Sequence, residues 1–121
     1  IDGGVATSAS YISNTNPIPP DKTDIASSTA MAGEMLGLQL VYMDAGSGAK
    51  HPISKQMIST VRKAVDIPLV IGGGIKTPEK LEEAYAAGAD VVVIGNALEN
   101  SPELIASFKK VIDNFNTSII R

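Results

Sequence analysis

Tyr42-Met43-Asp44-Ala45-Gly46-Ser47-Gly48 ends a short apolar run with a phenol and a carboxylate at alternate positions, followed by a hydroxyl in a glycine-rich turn. In an extended strand residues 42 and 44 share a face. A carboxylate and a phenol pointing together into a mouth could position and deprotonate a hydroxyl. The same pair also suits a tyrosine packed in a barrel layer and an aspartate capping an Asp-Ala-Gly turn. Ser47 is either a hydroxyl donor to an anion or plain turn chemistry. Two further glycine stretches, Gly72-Gly73-Gly74 and Gly95-Asn96, each follow a β-branched run and open into a helix-like segment. Glycine there lets backbone N–H groups approach a ligand, and the positive end of a helix favours a dianion. Gly73 and Gly74, then Gly95 with the Asn96 amide, are therefore candidate donors to a phosphate. A single such turn would be explained by tight strand-to-helix geometry alone; two in succession favour the phosphate. His51, between Lys50 and Pro52, could meet a diphosphate as a cation or be a plain exposed loop histidine. Lys76 could steer anions or simply be a solvated helix-start lysine.

These residues need a frame. Residues 1–20, rich in Gly, Ser, Thr, Asn and Pro, read as a loop of functional length. Lys22 to Leu36 reads as a helix with Ile25, Ala32, Met35 and Leu36 on one face and Gly37 as its stop. Leu38 to Met43 reads as a strand. Ser54 caps a helix whose stripe is Met57, Ile58, Val61, Ala64 and Val65. Ile67 to Ile71 is the second strand. Thr77-Pro78 opens a helix with Leu81, Ala84 and Tyr85 inward. Val91 to Ile94 is the third strand. Ser101-Pro102 repeats the cap-and-proline device before Leu104, Ile105, Phe108, Val111, Ile112 and Phe115; Asn116 to Arg121 shows no pattern and is expected to fray. This strand–helix alternation is that of an α/β fold with parallel strands. Glycine at the C-terminal ends of the late strands favours a barrel over a doubly wound sheet, because barrel sites lie at that face.

A complete (β/α)8 barrel takes roughly 250 residues. With 121 residues, the expectation is the C-terminal half of a single TIM-barrel domain, residues 1–121, with the earlier strands outside this chain. Ten basic and 13 acidic residues give a net charge of −3, which argues against nucleic acid as a partner. Cysteine is absent, so no disulfide or thiolate metal site is available, and no histidine–carboxylate cluster suggests a transition metal. No apolar run reaches the roughly 18 residues of a membrane span. A cytoplasmic enzyme fragment is expected. Its open sheet edges should pair with the N-terminal half of the same polypeptide.

The segments IDGGVATSASYISNTNPIPPDKTDIA, YMDAGSGAKHP, IPLVIGGGIKTPE and AGADVVVIGNALE resemble the geranylgeranylglyceryl phosphate synthase family, including its bacterial heptaprenylglyceryl phosphate relatives. The likeness covers nearly the whole chain. The middle segment is particular to the family, whereas the glycine segments are shared with many phosphate-binding barrels. The resemblance implies a prenyltransferase joining geranylgeranyl or another prenyl diphosphate to the 3-hydroxyl of sn-glycerol 1-phosphate, with Mg2+ assisting diphosphate departure. It implies that Tyr42, Met43, Asp44, Ala45, Gly46, Ser47 and Gly48 line the glycerol phosphate, that Gly73, Gly74, Gly95 and Asn96 hold its phosphate, and that Asp44 and Tyr42 are catalytic. It places the metal-binding residues in earlier strands, with none in this chain, and implies homo-oligomers. Asp44 stands where the family has glutamate, a methylene longer; activity is expected to survive through a backbone adjustment or a water. Two alternatives share the phosphate cradle: an isomerase or lyase of the histidine- or tryptophan-biosynthesis type, which lacks YMDAGSGA, and a non-catalytic phosphate-binding half-barrel.

Overall fold

A computed structural model describes residues 1–119. Its sheet has three parallel strands, β1 (Val41–Asp44), β2 (Leu69–Gly72) and β3 (Val91–Val93), in that spatial order. The helices are α1 (Ser8–Ser13), α2 (Thr23–Met35), α3 (Lys55–Ala64), α4 (Pro78–Ala86), α5 (Asn96–Asn100) and α6 (Leu104–Ile119). The β1 register runs from Val41 opposite Leu69 to Asp44 opposite Gly72, and Gly72 in turn sits opposite Val93. All three strands therefore end level, and the loops that follow leave from one rim.

Alternation decides which side chains reach that rim. Met43, Leu69 and Ile71 are buried, in one core with Met57, Ile58 and Val61 of α3 and Leu81 of α4. The other face carries Tyr42, Val91 and Val93, which are 50%, 49% and 46% exposed. One face of the sheet is thus covered by helices, while the face bearing Tyr42 and Asp44 is open among the described residues. Tyr85 stacks on Phe115 with ring centroids 5.2 Å apart, joining α4 to α6.

The end of the sheet away from the rim is tied by side chains. Asp90 Oδ2 accepts from Leu69 N at 2.8 Å and from Arg62 Nη1 at 2.9 Å, and Arg62 also donates to the Val65 carbonyl. The Arg62 stem crosses Gly88, where a Cβ would come within 2.5 Å of Arg62 Cγ. Glu34 Oε1 accepts from both Asp66 N and Ile67 N, at 2.8 and 3.0 Å, tying α2 to the turn before β2.

Several expectations shift. Residues 1–20 contain α1, held by a capping box in which Thr7 and Ser10 exchange hydrogen bonds; with no buried residue on it, hydrophobic periodicity had nothing to register. On α2 the buried residues are Ala26 and Ala30, whereas Met35 and Leu36 are 85% and 83% exposed. Small side chains let α2 lie close on α3, and the larger ones face away. The first strand starts three residues later than expected, where Val41 first meets a partner on β2. The helix expected directly after Ser101-Pro102 begins at Leu104, and its turns continue through Asn116 to Ile119. The rest of the tail expected to fray, Ile120 and Arg121, lies outside the described residues.

Candidate functional site

The rim is built by loops packed against loops. After β1, Asp44 Oδ1 accepts from Gly46 N at 2.9 Å, an Asx turn that reverses the chain, and Gly46 takes φ 94°. Ala45 N donates across to Gly72 O at 2.9 Å. The loop after β2 comes so close that a Cβ on Gly73 would fall 2.8 Å from Gly46 N and 2.9 Å from Asp44 Oδ1; on Gly74 it would fall 2.9 Å from Pro52 N. Both glycines also have positive φ, 83° and 74°. Gly73 and Gly74 are thus demanded by packing and by backbone conformation, whatever else they bind.

Gly95 is different. Its φ is −108°, and an added Cβ would meet no atom within 4 Å. Neither a left-handed conformation nor a neighbouring atom calls for glycine there. Across from it, Ser47 Oγ donates to Asn96 Oδ1 at 3.2 Å, closing the ring of loops between the ends of β1 and β3.

Inside that ring lies a hollow of about 190 Å3, lined by Tyr42, Asp44, Ser47, Gly48, Gly73, Gly74, Gly95 and Asn96 together with Ile75, Lys76, Val93, Ile94 and Ala97. Eight of the expected site residues meet here. Met43 and Ala45 do not: both are buried, Met43 on the helix-covered side of β1. Gly46 faces a second, larger cavity of about 780 Å3 between α1, the segment before it and the end of β1. That cavity is lined by Ile1, Val5, Ala6, Tyr11 and Pro17 among others, and Asp44 borders both spaces. His51 lies outside the smaller hollow, beside Gly4 and Asp2 in a separate cleft.

Within the hollow, Tyr42 feels Asp44. Burial first, and the Asp44 charge second, push the Tyr42 phenol above its ordinary range. The phenol is therefore a neutral donor throughout the physiological pH range. Asp44 keeps one oxygen on Gly46 N; Oδ2 makes no protein hydrogen bond among the described residues. The hollow's lining by Ile75, Ile94 and Ala97 was not read from the sequence, since these apolar residues carry no chemical signal. Lys76, a candidate for steering anions, stands exposed at the hollow's edge.

Parallel strands, outer helices and a glycine-rich rim at the strands' C-terminal ends define part of a (β/α) barrel, as expected. Residues 4–114 match the PcrB family model, and the chain belongs to that family. It is 53% identical over 121 residues to a geranylgeranylglyceryl phosphate synthase from Spirosoma linguale, spanning 100% of this chain and 49% of that relative. With the synthase of the same name from Chitinophaga pinensis it shares 58% identity over 105 residues, 87% of this chain and 42% of the relative. In three dimensions it superposes on the crystal structure of (S)-3-O-geranylgeranylglyceryl phosphate synthase from Thermoplasma acidophilum in complex with its substrate sn-glycerol-1-phosphate. The TM-score is 0.81 at 31% identity, over 90% of this chain and 44% of that one. The chain spans about half the length of the curated relatives it matches. No helix among the described residues is long and apolar enough to cross a membrane.

Proposed function

We propose that the chain is the C-terminal portion of a TIM-barrel prenyltransferase that joins a prenyl diphosphate to the 3-hydroxyl of sn-glycerol 1-phosphate, forming an ether-lipid precursor and diphosphate. The observation that carries this reading is the hollow at the rim. It gathers Tyr42, Asp44, Ser47 and the three glycine loops around a space of about 190 Å3. Drug-sized ligands take clefts of roughly 300 Å3 and more, so this volume suits a three-carbon phosphate. Gly95, without a packing reason to be glycine, leaves room for a phosphate against the backbone. The names of the relatives and the substrate in the Thermoplasma acidophilum structure point the same way.

In this reading the phosphate lies among Gly73, Gly74, Gly95, Asn96 and Ser47. The free hydroxyl reaches toward Tyr42 and Asp44. The larger cavity, which shares Asp44, takes the prenyl diphosphate, with Val5, Ala6 and Tyr11 offering apolar surface. The bond between the allylic carbon and its diphosphate oxygen breaks, and the electron pair leaves with diphosphate. The glycerol oxygen bonds to that carbon, and its proton passes to Asp44 Oδ2, the oxygen not held by Gly46. Holding the hydroxyl beside the carbon supplies much of the acceleration. A Mg2+ ion would neutralise the departing diphosphate. Among the described residues no group of three or more His, Asp or Glu lies together, and the residues that would hold the ion are proposed to lie in the preceding half. The pairing partner is the preceding half of the same polypeptide.

The test is equilibrium binding of sn-glycerol 1-phosphate against its enantiomer by calorimetry, with Gly95→Ala as the control. Preferential binding that Gly95→Ala weakens supports the site. Binding that ignores both handedness and the substitution contradicts it.

A further inference from the structure

Gly72 ends β2 directly opposite Asp44 and is buried. Unlike Gly73 and Gly74 it does not have positive φ, so its conformation is open to any residue. What excludes a side chain is Tyr42. A Cβ on Gly72 would lie 2.3 Å from the Tyr42 Oη, 2.9 Å from Cε2 and 3.0 Å from Cζ. Tyr42 itself pairs in register with Val70, two residues earlier. Its ring therefore leans forward along the sheet and lies over Gly72, bringing its hydroxyl level with Asp44 at the floor of the hollow.

We propose that Gly72 is a positioning residue: the missing side chain at the end of β2 is the seat of the Tyr42 ring, and it fixes where the phenol meets the acceptor hydroxyl. This rests on the prenyl-transfer reading for the identity of the acceptor, while the seat itself rests on geometry alone. A methyl at Gly72 meets the far end of a rotatable side chain rather than backbone. It should evict the ring into another staggered rotamer instead of unfolding the strand. At Gly73 the same methyl meets backbone nitrogens, so that substitution acts on folding.

The experiment is a 13Cζ-tyrosine NMR titration of the whole chain, with Tyr42→Phe assigning the Tyr42 signal against those of Tyr11 and Tyr85. In the native chain Tyr42 should ionise late, held up by burial and by Asp44. In Gly72→Ala its midpoint should fall toward the ordinary phenol value of about 10, while Tyr85, also raised by burial, stays where it was. A folded Gly72→Ala chain whose Tyr42 midpoint does not move overturns the proposal. Should Gly72→Ala fail to fold, the Tyr42→Ala/Gly72→Ala double variant decides: recovered folding supports the seat, and a chain still unfolded overturns it. In the transfer assay Gly72→Ala should cost about 10²-fold in turnover, the scale of a misplacement near 1 Å, and should add nothing to Tyr42→Ala. Transfer absent from the native protein would sink the proposed function, yet the NMR titration would still report on the seat.

Discussion

At the scale of single residues, the site separates glycines that the fold requires from one that it does not. Gly73→Ala places a methyl against backbone nitrogens at positive φ and should cost about 1–3 kcal/mol of stability, read as a lowered urea midpoint. Gly95→Ala enters open space; its stability should stay within about 0.5 kcal/mol of the parent while glycerol phosphate binding weakens. Equal effects of the two on stability would contradict this division. Asp44→Asn keeps an acceptor for Gly46 N but loses the base, so turnover should fall by about 10²–10⁴-fold with glycerol phosphate affinity little changed. Tyr42 adds a pH dependence. Its phenol is raised by burial and by Asp44, so its contribution to stability is complete below the ordinary phenol value of about 10. That contribution is lost as pH rises through the raised one. Thermal melts should therefore decline on the alkaline side, less steeply in Tyr42→Phe; identical alkaline limbs would contradict the environment assigned to Tyr42.

At the scale of elements, the ties opposite the rim hold the strands level. Asp90→Ala leaves the part-buried Leu69 N–H without its partner and should cost about 1–3 kcal/mol, whereas Asp90→Asn should retain much of it. Denaturant midpoints of the two check this. The exposed ion pair with Arg62 is the smaller share, as surface pairs are worth about 0–1 kcal/mol. Parallel strands, the α3 and α4 stripes and the order of elements were legible in the sequence, because period 2 and period 3.6 follow directly from burial. α1 was not, because Thr7 and Ser10 hold it by hydroxyls alone. The buried face of α2 was misassigned because bulk suggested Met35 and Leu36, while close helix contact selected Ala26 and Ala30. At the rim, Tyr42, Asp44, Ser47 and the glycines were legible from residue type and spacing. The seat of Tyr42 on Gly72 was not, since it depends on the lean of a ring between strands.

At the scale of the molecule, one face of the sheet is packed and the other, with Tyr42, Val91 and Val93, is open among the described residues. The PcrB relatives are about twice as long as this chain, and their additional strands are the proposed cover for that face and for the sheet edges. The hollow is proposed to present glycerol phosphate to a prenyl donor. The most direct test is a transfer assay on these residues together with the proposed preceding barrel half. The assay supplies labelled sn-glycerol 1-phosphate, Mg2+ and prenyl diphosphates of graded length, and follows label into an organic phase. The expected result is label in the organic phase that depends on Asp44 and vanishes with the enantiomeric glycerol phosphate. Glycerol phosphate bound in the hollow but never transferred, with every prenyl donor tried, would contradict it.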